Sequence, residues 1–157
     1  MLNGHGGNIF EMARRHGCHA DNILDMSSTI NPLGPPPGLM DYLRTNLSVA
    51  TRLPEVDSGE TARQYAEYLS VNPHRILAGN GTTQFIYAIP QALESRRILI
   101  VGPTYSDYAD AWKMHGVSAT MMMASESDNF MPDLALLNKK LAEADTVSIC
   151  NPNNPTG

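Results

Sequence analysis

The chain has 157 residues, of which 42% are hydrophobic and 17% charged, and its formal net charge is −5. This composition is typical of a packed globular domain, and an acidic chain without a dense lysine or arginine cluster argues against a nucleic-acid partner. The longest apolar runs are far too short to span a bilayer, and the N-terminus lacks the pattern of a secretory signal. Two widely separated cysteines indicate neither a disulfide framework nor a metal site. We therefore expect a cytoplasmic protein with no membrane partner.

The first part of the chain predicts an extended arm rich in turns. Glycine and proline are frequent through residue 37, and within that stretch only residues 9–16 suggest a short helix. Leu39, Tyr42, Leu43 and Leu47 then recur at helical spacing, which predicts a second helix.

A third helix is predicted after a loop at residues 52–57. Asp57 or Ser58 is a candidate N-cap, and Glu60 stands three residues after Asp57, as in a capping box. Its predicted apolar face has four members: Ala62, Tyr65, Ala66 and Leu69.

From residue 75 onward, short β-type runs alternate with helical ones. The predicted strands cover residues 76–78, 98–101, 117–123 and 146–150. Three helices are predicted between them, on apolar positions at helical spacing: Phe85, Ile89 and Ala92; Tyr105, Tyr108 and Trp112; Leu134, Leu137 and Leu141. Pro90 should kink or shorten the first of these helices, and Asp133 should cap the last. This alternation predicts an α/β sheet between layers of helices.

A glycine-rich turn joins the first predicted strand to its helix. Residues 78–84 read AGNGTTQ, and the first N–H groups of the following helix, with the Thr82 and Thr83 hydroxyls, could bind a phosphate there. The alternative is a tight turn with Thr82 as the N-cap of the helix. The spacing fits neither the Walker loop nor the dinucleotide-binding fingerprint.

Two further motifs follow predicted strands. Tyr105, in the run GPTYSDY at residues 102–108, could stack on a flat cofactor ring, or it could belong to a buried aromatic stripe. The run NPNNPTG at residues 151–157 could hold one amide towards a ligand at the carboxyl end of a strand, or it could be a plain Asx turn.

Near the N-terminus, the runs HGGN at residues 5–8 and SSTINPLG at residues 27–34 suit a polar or anionic substrate, although each is also ordinary loop sequence. The five histidines show no metal-ligand spacing, so we predict no metal site.

In their order and spacing, these motifs together resemble fold-type-I pyridoxal-phosphate enzymes of aminotransferase class I/II. The N-terminal segments, with Arg52-Leu-Pro-Glu and residues 76–81, also resemble the threonine-phosphate decarboxylases of cobalamin biosynthesis and the related histidinol-phosphate aminotransferases. The resemblance covers almost all of these residues but only about the first half of a family member.

This resemblance implies a fold and a domain organisation. The fold would be a three-layer α/β/α arrangement with a mixed, mostly parallel sheet, which is part of the large domain of the aspartate-aminotransferase fold, preceded by an extended N-terminal arm. Residues 1–50 would form the arm and a small-domain segment, and residues 51–157 an incomplete large domain that binds pyridoxal 5'-phosphate. The full-length family would form homodimers.

The resemblance also implies roles for individual residues. Gly81, Thr82 and Thr83 would bind the cofactor phosphate, Tyr105 would stack on the pyridine ring, and Asn154 would donate a hydrogen bond to the phenolic oxygen of the ring. The residues facing a phosphorylated amino-acid substrate would be His5, Gly6, Thr29 and Asn31.

The sequence departs from the family at two positions and lacks one essential group. Leu53 stands where the family usually has a tyrosine that reaches the cofactor phosphate of the partner subunit, and Thr29 replaces a substrate-facing amide. The lysine that binds the cofactor as a Schiff base would lie beyond Gly157, so we expect the chain alone to be inactive. The resemblance leaves open decarboxylation or amino transfer, and also a non-catalytic remnant or split-enzyme half that binds a phosphorylated ligand or a partner chain.

Overall fold

The structure, a computed structural model, describes residues 7–28 and 30–157. The chain divides into two compact units, one ending at Leu53 and the other beginning at Pro54. No helix within the described ranges combines the length and the apolar character that crossing a membrane requires. His5, Gly6 and Thr29 lie outside the described residues.

The first unit contains two short α-helices. Helix α1 is Ile9–His16, as predicted. Its N-cap Asn8 accepts a hydrogen bond from the Glu11 N–H, and its C-cap Gly17 adopts the left-handed conformation. Helix α2 is Leu39–Thr45, shorter than predicted, and a 3-10 turn follows over Leu47–Thr51. A second 3-10 turn lies at Ala20–Asn22.

The second unit begins with helix α3, Gly59–Leu69; its N-cap is Ser58, and the predicted capping box of Asp57 and Glu60 does not form. The Asp57 carboxylate accepts a hydrogen bond from the Gly59 N–H at 3.1 Å. Glu60 does not complete the box, because its carboxylate accepts from the Gln64 side chain instead, at 2.7 Å. Of the predicted apolar face, Ala62 and Ala66 are buried, whereas Tyr65 and Leu69 are exposed.

Three parallel strands form the described sheet, in the order β2-β1-β3. Strand β1 is Ile98–Gly102, β2 is Thr120–Met123 and β3 is Thr146–Ser148. Three of the four predicted strands are thus confirmed, two of them shorter than expected. The predicted strand at residues 76–78 is wrong for the described chain: the backbone at Ile76 is extended, but the segment pairs with no described strand. A strand exists only through hydrogen bonds to a neighbour.

The helices of this unit pack around β1. Helix α4 is Gly81–Leu93, α5 is Asp107–Met114 and α6 is Leu134–Leu141, the last capped by Asp133 as predicted. The core consists of Ile98, Ile100 and Trp112, so it joins one face of β1 to α5, and α4 packs against α5.

Pro90 does not shorten α4, which continues for three residues beyond it. The buried residues of this helix are Ile86 and Pro90, so the predicted face of Phe85, Ile89 and Ala92 is wrong. Pro90 cannot donate to the Ile86 carbonyl, and both residues lie on the buried face of the helix.

An ion pair joins the amino ends of β1 and β3. Oδ1 of Asp145 accepts from Nη2 of Arg97 at 2.6 Å, and Oδ2 accepts from the backbone N–H groups of Arg96 and Arg97 at 3.2 and 3.0 Å. Hydrogen bonds from the Arg97 side chain, and then from the two backbone groups, lower the pKa of Asp145 from 3.8 to about 2. The charged carboxylate therefore stabilises the start of the β1–β3 pair.

We expect Asp145→Asn to lower the urea midpoint at pH 7, because it replaces one charged acceptor oxygen with an NH2 donor. A folded-state pKa below the unfolded value contributes stability above about pH 4, and this stability is lost as the pH falls towards 2. The difference between wild type and variant should therefore shrink across that range. Glu143→Gln, an exposed change nearby, is the control. A pH-independent difference would contradict this account.

Candidate functional site

The predicted cofactor residues lie on elements that meet the carboxyl end of the parallel sheet. Tyr105 follows β1, Asn154 follows β3, and Thr82 and Thr83 lie in the first turn of α4. In open α/β sheets, ligands bind outside the carboxyl ends of the strands. All these residues belong to the second unit.

Helix α4 begins with free N–H groups. Asn80 is its N-cap but provides no side-chain hydrogen bond, and Gly81 adopts the left-handed conformation with a φ of 77°. Thr82 therefore lies inside the first turn, and the alternative in which Thr82 caps the helix is wrong. The N–H groups of Thr82 and Thr83 have no acceptor within the helix, because the first turn precedes every possible carbonyl partner. They form the positive end of the helix dipole.

The approach to this helix requires glycine at position 79. A Cβ built there would lie 2.5 Å from Cζ of Phe85 and 2.9 Å from Oε1 of Gln84. The same Gln84 oxygen accepts from the Asn80 N–H at 2.6 Å. The ring of Phe85 and the amide of Gln84 thus pack directly on the backbone and hold the turn at the helix N-terminus.

Tyr105 connects α4 to the loop after β1. Its hydroxyl is within hydrogen-bonding reach of the Thr83 hydroxyl and of the Asp107 carboxylate. Its pKa is raised, chiefly by partial burial and further by Asp107, whereas the hydrogen bond from Thr83 opposes the shift. Its ring meets that of Tyr108 edge to face, with centroids 6.4 Å apart. The pKa of the predicted stacking residue Tyr105 therefore responds to Thr83, one of the predicted phosphate-binding residues.

Asp107 belongs to this group of side chains although no motif predicted it. It is 2% exposed and lies in the first turn of α5. Its carboxylate raises the pKa of both Tyr105 and Tyr87. The only sequence signal for Asp107 was an acidic residue at the first position of a helix. This placement is common, because the helix dipole favours a negative charge there whether or not the residue belongs to a site.

The loops after β1 and β3 are joined by Asn153, the neighbour of the predicted residue Asn154. Asn153 accepts from the Thr104 hydroxyl at 2.8 Å and donates to the Pro103 carbonyl at 2.8 Å. Asn154 is exposed, and within the described residues its side chain forms no hydrogen bond. The amide of Asn154 is thus available to a ligand at this edge of the sheet.

In the first unit, the N-terminal arm contacts the second predicted substrate segment. The Gly7 N–H donates to the Ser27 hydroxyl at 2.8 Å, and that hydroxyl donates to Asp25 at 2.6 Å. Hydrogen bonds from Ser27 and then Ser28 lower the pKa of Asp25 from 3.8 to about 2. Asn31 forms a turn of its own: its side chain accepts from the Leu33 N–H at 3.0 Å and donates to the carbonyl of residue 34 at 3.3 Å.

Chemically, the second unit offers an anion-binding helix N-terminus, an aromatic ring beside it and an exposed amide. Across the described part of the chain, no group of three histidine, cysteine, aspartate or glutamate side chains could hold a metal ion. These groups lie on a parallel α/β sheet, the class of fold in which ligands bind at the carboxyl ends of the strands.

Comparison with known proteins names the family. The model of aminotransferase class I and II matches residues 22–157, so the chain belongs to that family. It is 36% identical to the threonine-phosphate decarboxylase of Salmonella typhimurium over 153 residues, which cover 98% of this chain and 42% of that protein.

Two solved structures extend the comparison. The histidinol-phosphate aminotransferase of Clostridium acetobutylicum is 31% identical, with a TM-score of 0.70 over 85% of this chain and 39% of that one. A mutant of the Thermus thermophilus aspartate aminotransferase, at 18% identity, shares the fold with a TM-score of 0.76 over 100% of this chain and 44% of its own. The predicted aspartate-aminotransferase fold is therefore confirmed. The chain spans about two fifths of the length of the proteins it matches.

Pyridoxal 5'-phosphate is the cofactor of this family, and the residues present fit it. The N–H groups of Thr82 and Thr83, which have no acceptor within the helix, suit its phosphate. The half-buried ring of Tyr105 suits its aromatic ring, and the exposed amide of Asn154 suits its phenolic oxygen.

Proposed function

We propose that these residues form the N-terminal part of a pyridoxal-phosphate enzyme that decarboxylates L-threonine O-3-phosphate in the synthesis of the cobalamin side chain. The observation that carries the proposal is the start of α4, where Asn80 provides no side-chain cap and Gly81 adopts the left-handed conformation, so that the first N–H groups of the helix can bind an anion. The 36% identity to a threonine-phosphate decarboxylase supports this choice of substrate.

The cofactor, when bound, supplies the electron sink that decarboxylation requires. Thr82 and Thr83, with Gly81, would hold its phosphate by backbone N–H groups and hydroxyls, the Thr83 hydroxyl turning its single proton from Tyr105 to the phosphate. Tyr105 covers one face of the ring, and Asp107 keeps the Tyr105 hydroxyl in place from its buried position. Asn154 donates a hydrogen bond to the phenolic oxygen.

The first unit is proposed to hold the substrate. The Gly7 N–H donates to the Ser27 hydroxyl, so the described ends of the two predicted substrate segments are joined. We propose that His5, Gly6, Thr29 and Asn31 face the substrate. One N–H and one lone pair of the Asn31 amide are engaged in its own turn, so it would contact the substrate through its second N–H or its remaining lone pair.

The lysine that binds the cofactor is proposed to come from sequence outside these 157 residues. The three lysines here are Lys113, Lys139 and Lys140, in the last turns of α5 and α6. Lys140 lines a cavity with Arg96 and Arg97 at the amino end of β1, opposite the edge that carries Tyr105. The intact gene product is proposed to be a cytoplasmic homodimer.

The test measures carbon dioxide release by the intact gene product supplied with pyridoxal phosphate and L-threonine O-3-phosphate. L-Threonine is the matched control. We expect its kcat/KM to be lower by about a hundredfold or more, since two charge-assisted hydrogen bonds to the phosphate are each worth roughly 1.5 kcal/mol. Equal rates with both amino acids would contradict the proposal.

A second candidate, amino transfer from a histidinol-phosphate-type substrate, is supported by the 31% identity to such an enzyme. The same protein would then convert 2-oxoglutarate to glutamate in the presence of histidinol phosphate and release no carbon dioxide.

A third candidate, a non-catalytic remnant or split-enzyme half that binds a phosphorylated ligand or partner chain, is supported by Leu53, an exposed residue that cannot donate a hydrogen bond. Calorimetric binding of phosphothreonine without turnover would favour it.

A further inference from the structure

We infer that Asn153 is a positioning residue that holds the loop of Tyr105 and the loop of Asn154 together at the proposed cofactor site. The inference rests on the proposed function for its consequence in cofactor binding. Its structural basis is a set of hydrogen bonds that join two loops far apart in the sequence.

The pairing of β1 with β3 ends before either loop begins. The last aligned pair is Ile100 and Ser148, whereas Tyr105 and Asn154 lie five and six residues further along the chain. Beyond that pair, hydrogen bonds between β1 and β3 therefore do not fix the position of one loop relative to the other.

The side chain of Asn153 provides the missing connection. Its Nδ2 donates to the Pro103 carbonyl at 2.8 Å and to the Thr156 hydroxyl at 2.7 Å, and its Oδ1 accepts from the Thr104 hydroxyl at 2.8 Å. The Pro103 and Thr104 partners are 50 and 49 residues away in the sequence. A carbonyl oxygen can only accept, so the nitrogen of the amide must face Pro103 and its oxygen must face Thr104.

The backbone of Asn153 completes the arrangement. Its carbonyl accepts from the Gly157 N–H at 2.8 Å, which closes the turn around Asn154. Thr104 directly precedes Tyr105, and Asn153 directly precedes Asn154. The one amide thus fixes the backbone next to both residues proposed to contact the cofactor ring.

Three substitutions test this role in the intact gene product. Asn153→Ala removes all the side-chain bonds, Asn153→Asp places an acceptor against the Pro103 carbonyl, and Thr104→Val removes one donor. Thr104→Ser keeps that donor, and Asn138→Ala changes an exposed asparagine on α6 that forms no side-chain hydrogen bond within the described residues.

The first measurement is the dissociation constant of pyridoxal phosphate, with the absorption spectrum of the bound form. We expect Asn153→Ala and Asn153→Asp to weaken binding about tenfold and to shift the spectrum, as loss of two or three hydrogen bonds that orient the site would. Thr104→Val should have a smaller effect of the same sign, and the two controls should match wild type. Wild-type affinity in Asn153→Ala would overturn the inference.

The second measurement is hydrogen exchange of the protein without cofactor, which does not depend on the proposed function. We expect Asn153→Ala to speed exchange in residues 104–106 as well as in 153–157, because the two loops are joined. Faster exchange in 153–157 alone would reduce Asn153 to a local turn residue and overturn the inference. Should wild type bind no pyridoxal phosphate, the proposed function fails, and the exchange result still decides whether the two loops are joined.

Discussion

Replacing Trp112 with alanine is expected to lower the free energy of unfolding by about 3–5 kcal/mol, the usual cost of truncating a buried aromatic side chain. Trp112 is 3% exposed and packs with Ile98 and Ile100, the first and the central residue of β1. Removing its side chain leaves a cavity between α5 and β1, which is the only described strand with a neighbour on each side. The sheet edge that carries the site depends on that same strand.

The measurement is urea unfolding of the intact gene product, followed by circular dichroism, because Trp112→Ala removes the one tryptophan of these 157 residues and so changes the fluorescence signal itself. Met114→Ala is the control on the same helix: Met114 is 70% exposed, so its truncation should change stability by less than about 0.5 kcal/mol. Equal losses of stability in the two variants would show that Trp112 does not pack in a core between α5 and β1.

The substitution Gly79→Ala is expected to reduce both stability and cofactor affinity. The new Cβ would lie 2.5 Å from Cζ of Phe85, so the ring or the backbone must move, at a cost of about 1–3 kcal/mol. Movement of the turn displaces the first N–H groups of α4. If two charge-assisted hydrogen bonds of roughly 1.5 kcal/mol each are lost, pyridoxal phosphate should bind about a hundredfold more weakly.

Gly116→Ala separates these two effects. Gly116 has a φ of 74° but open space around its Cβ position, and it follows the C-terminal end of α5, away from the start of α4. Its alanine variant should lose about 1–2 kcal/mol of stability through the left-handed backbone and retain the affinity for cofactor. Unchanged affinity in Gly79→Ala would mean that the helix N-terminus does not bind the phosphate.

Features that depend on neighbouring residues in the chain were predictable from the sequence. Helix α1 and the Asp133 cap of α6 follow from local periodicity and a local side-chain acceptor. The run of strands and helices after residue 75 and the family motifs likewise lie in short segments. The sequence therefore predicted the α/β class, the family and the elements that carry the site.

Local patterns misjudged features that depend on packing between elements. The capping box at Glu60 was wrong because Gln64 offers its carboxylate a competing donor. The buried face of α4 was wrong because α5 packs against this helix, and helical spacing alone does not say which apolar residues a neighbour covers. Each error concerns a choice between partners that the local sequence leaves equivalent.

By itself, the sequence determined the order of the elements, the family and which residue types stand where the cofactor would bind, because these depend on short-range pattern and composition. Only the tertiary structure decided that residues 76–78 lack a described strand partner, that Asp107 is buried beside Tyr105, and that Asn153 joins two loops. The last of these features arises from contacts between segments about 50 residues apart. Such contacts form only when the parallel strands bring their carboxyl ends to one edge of the sheet.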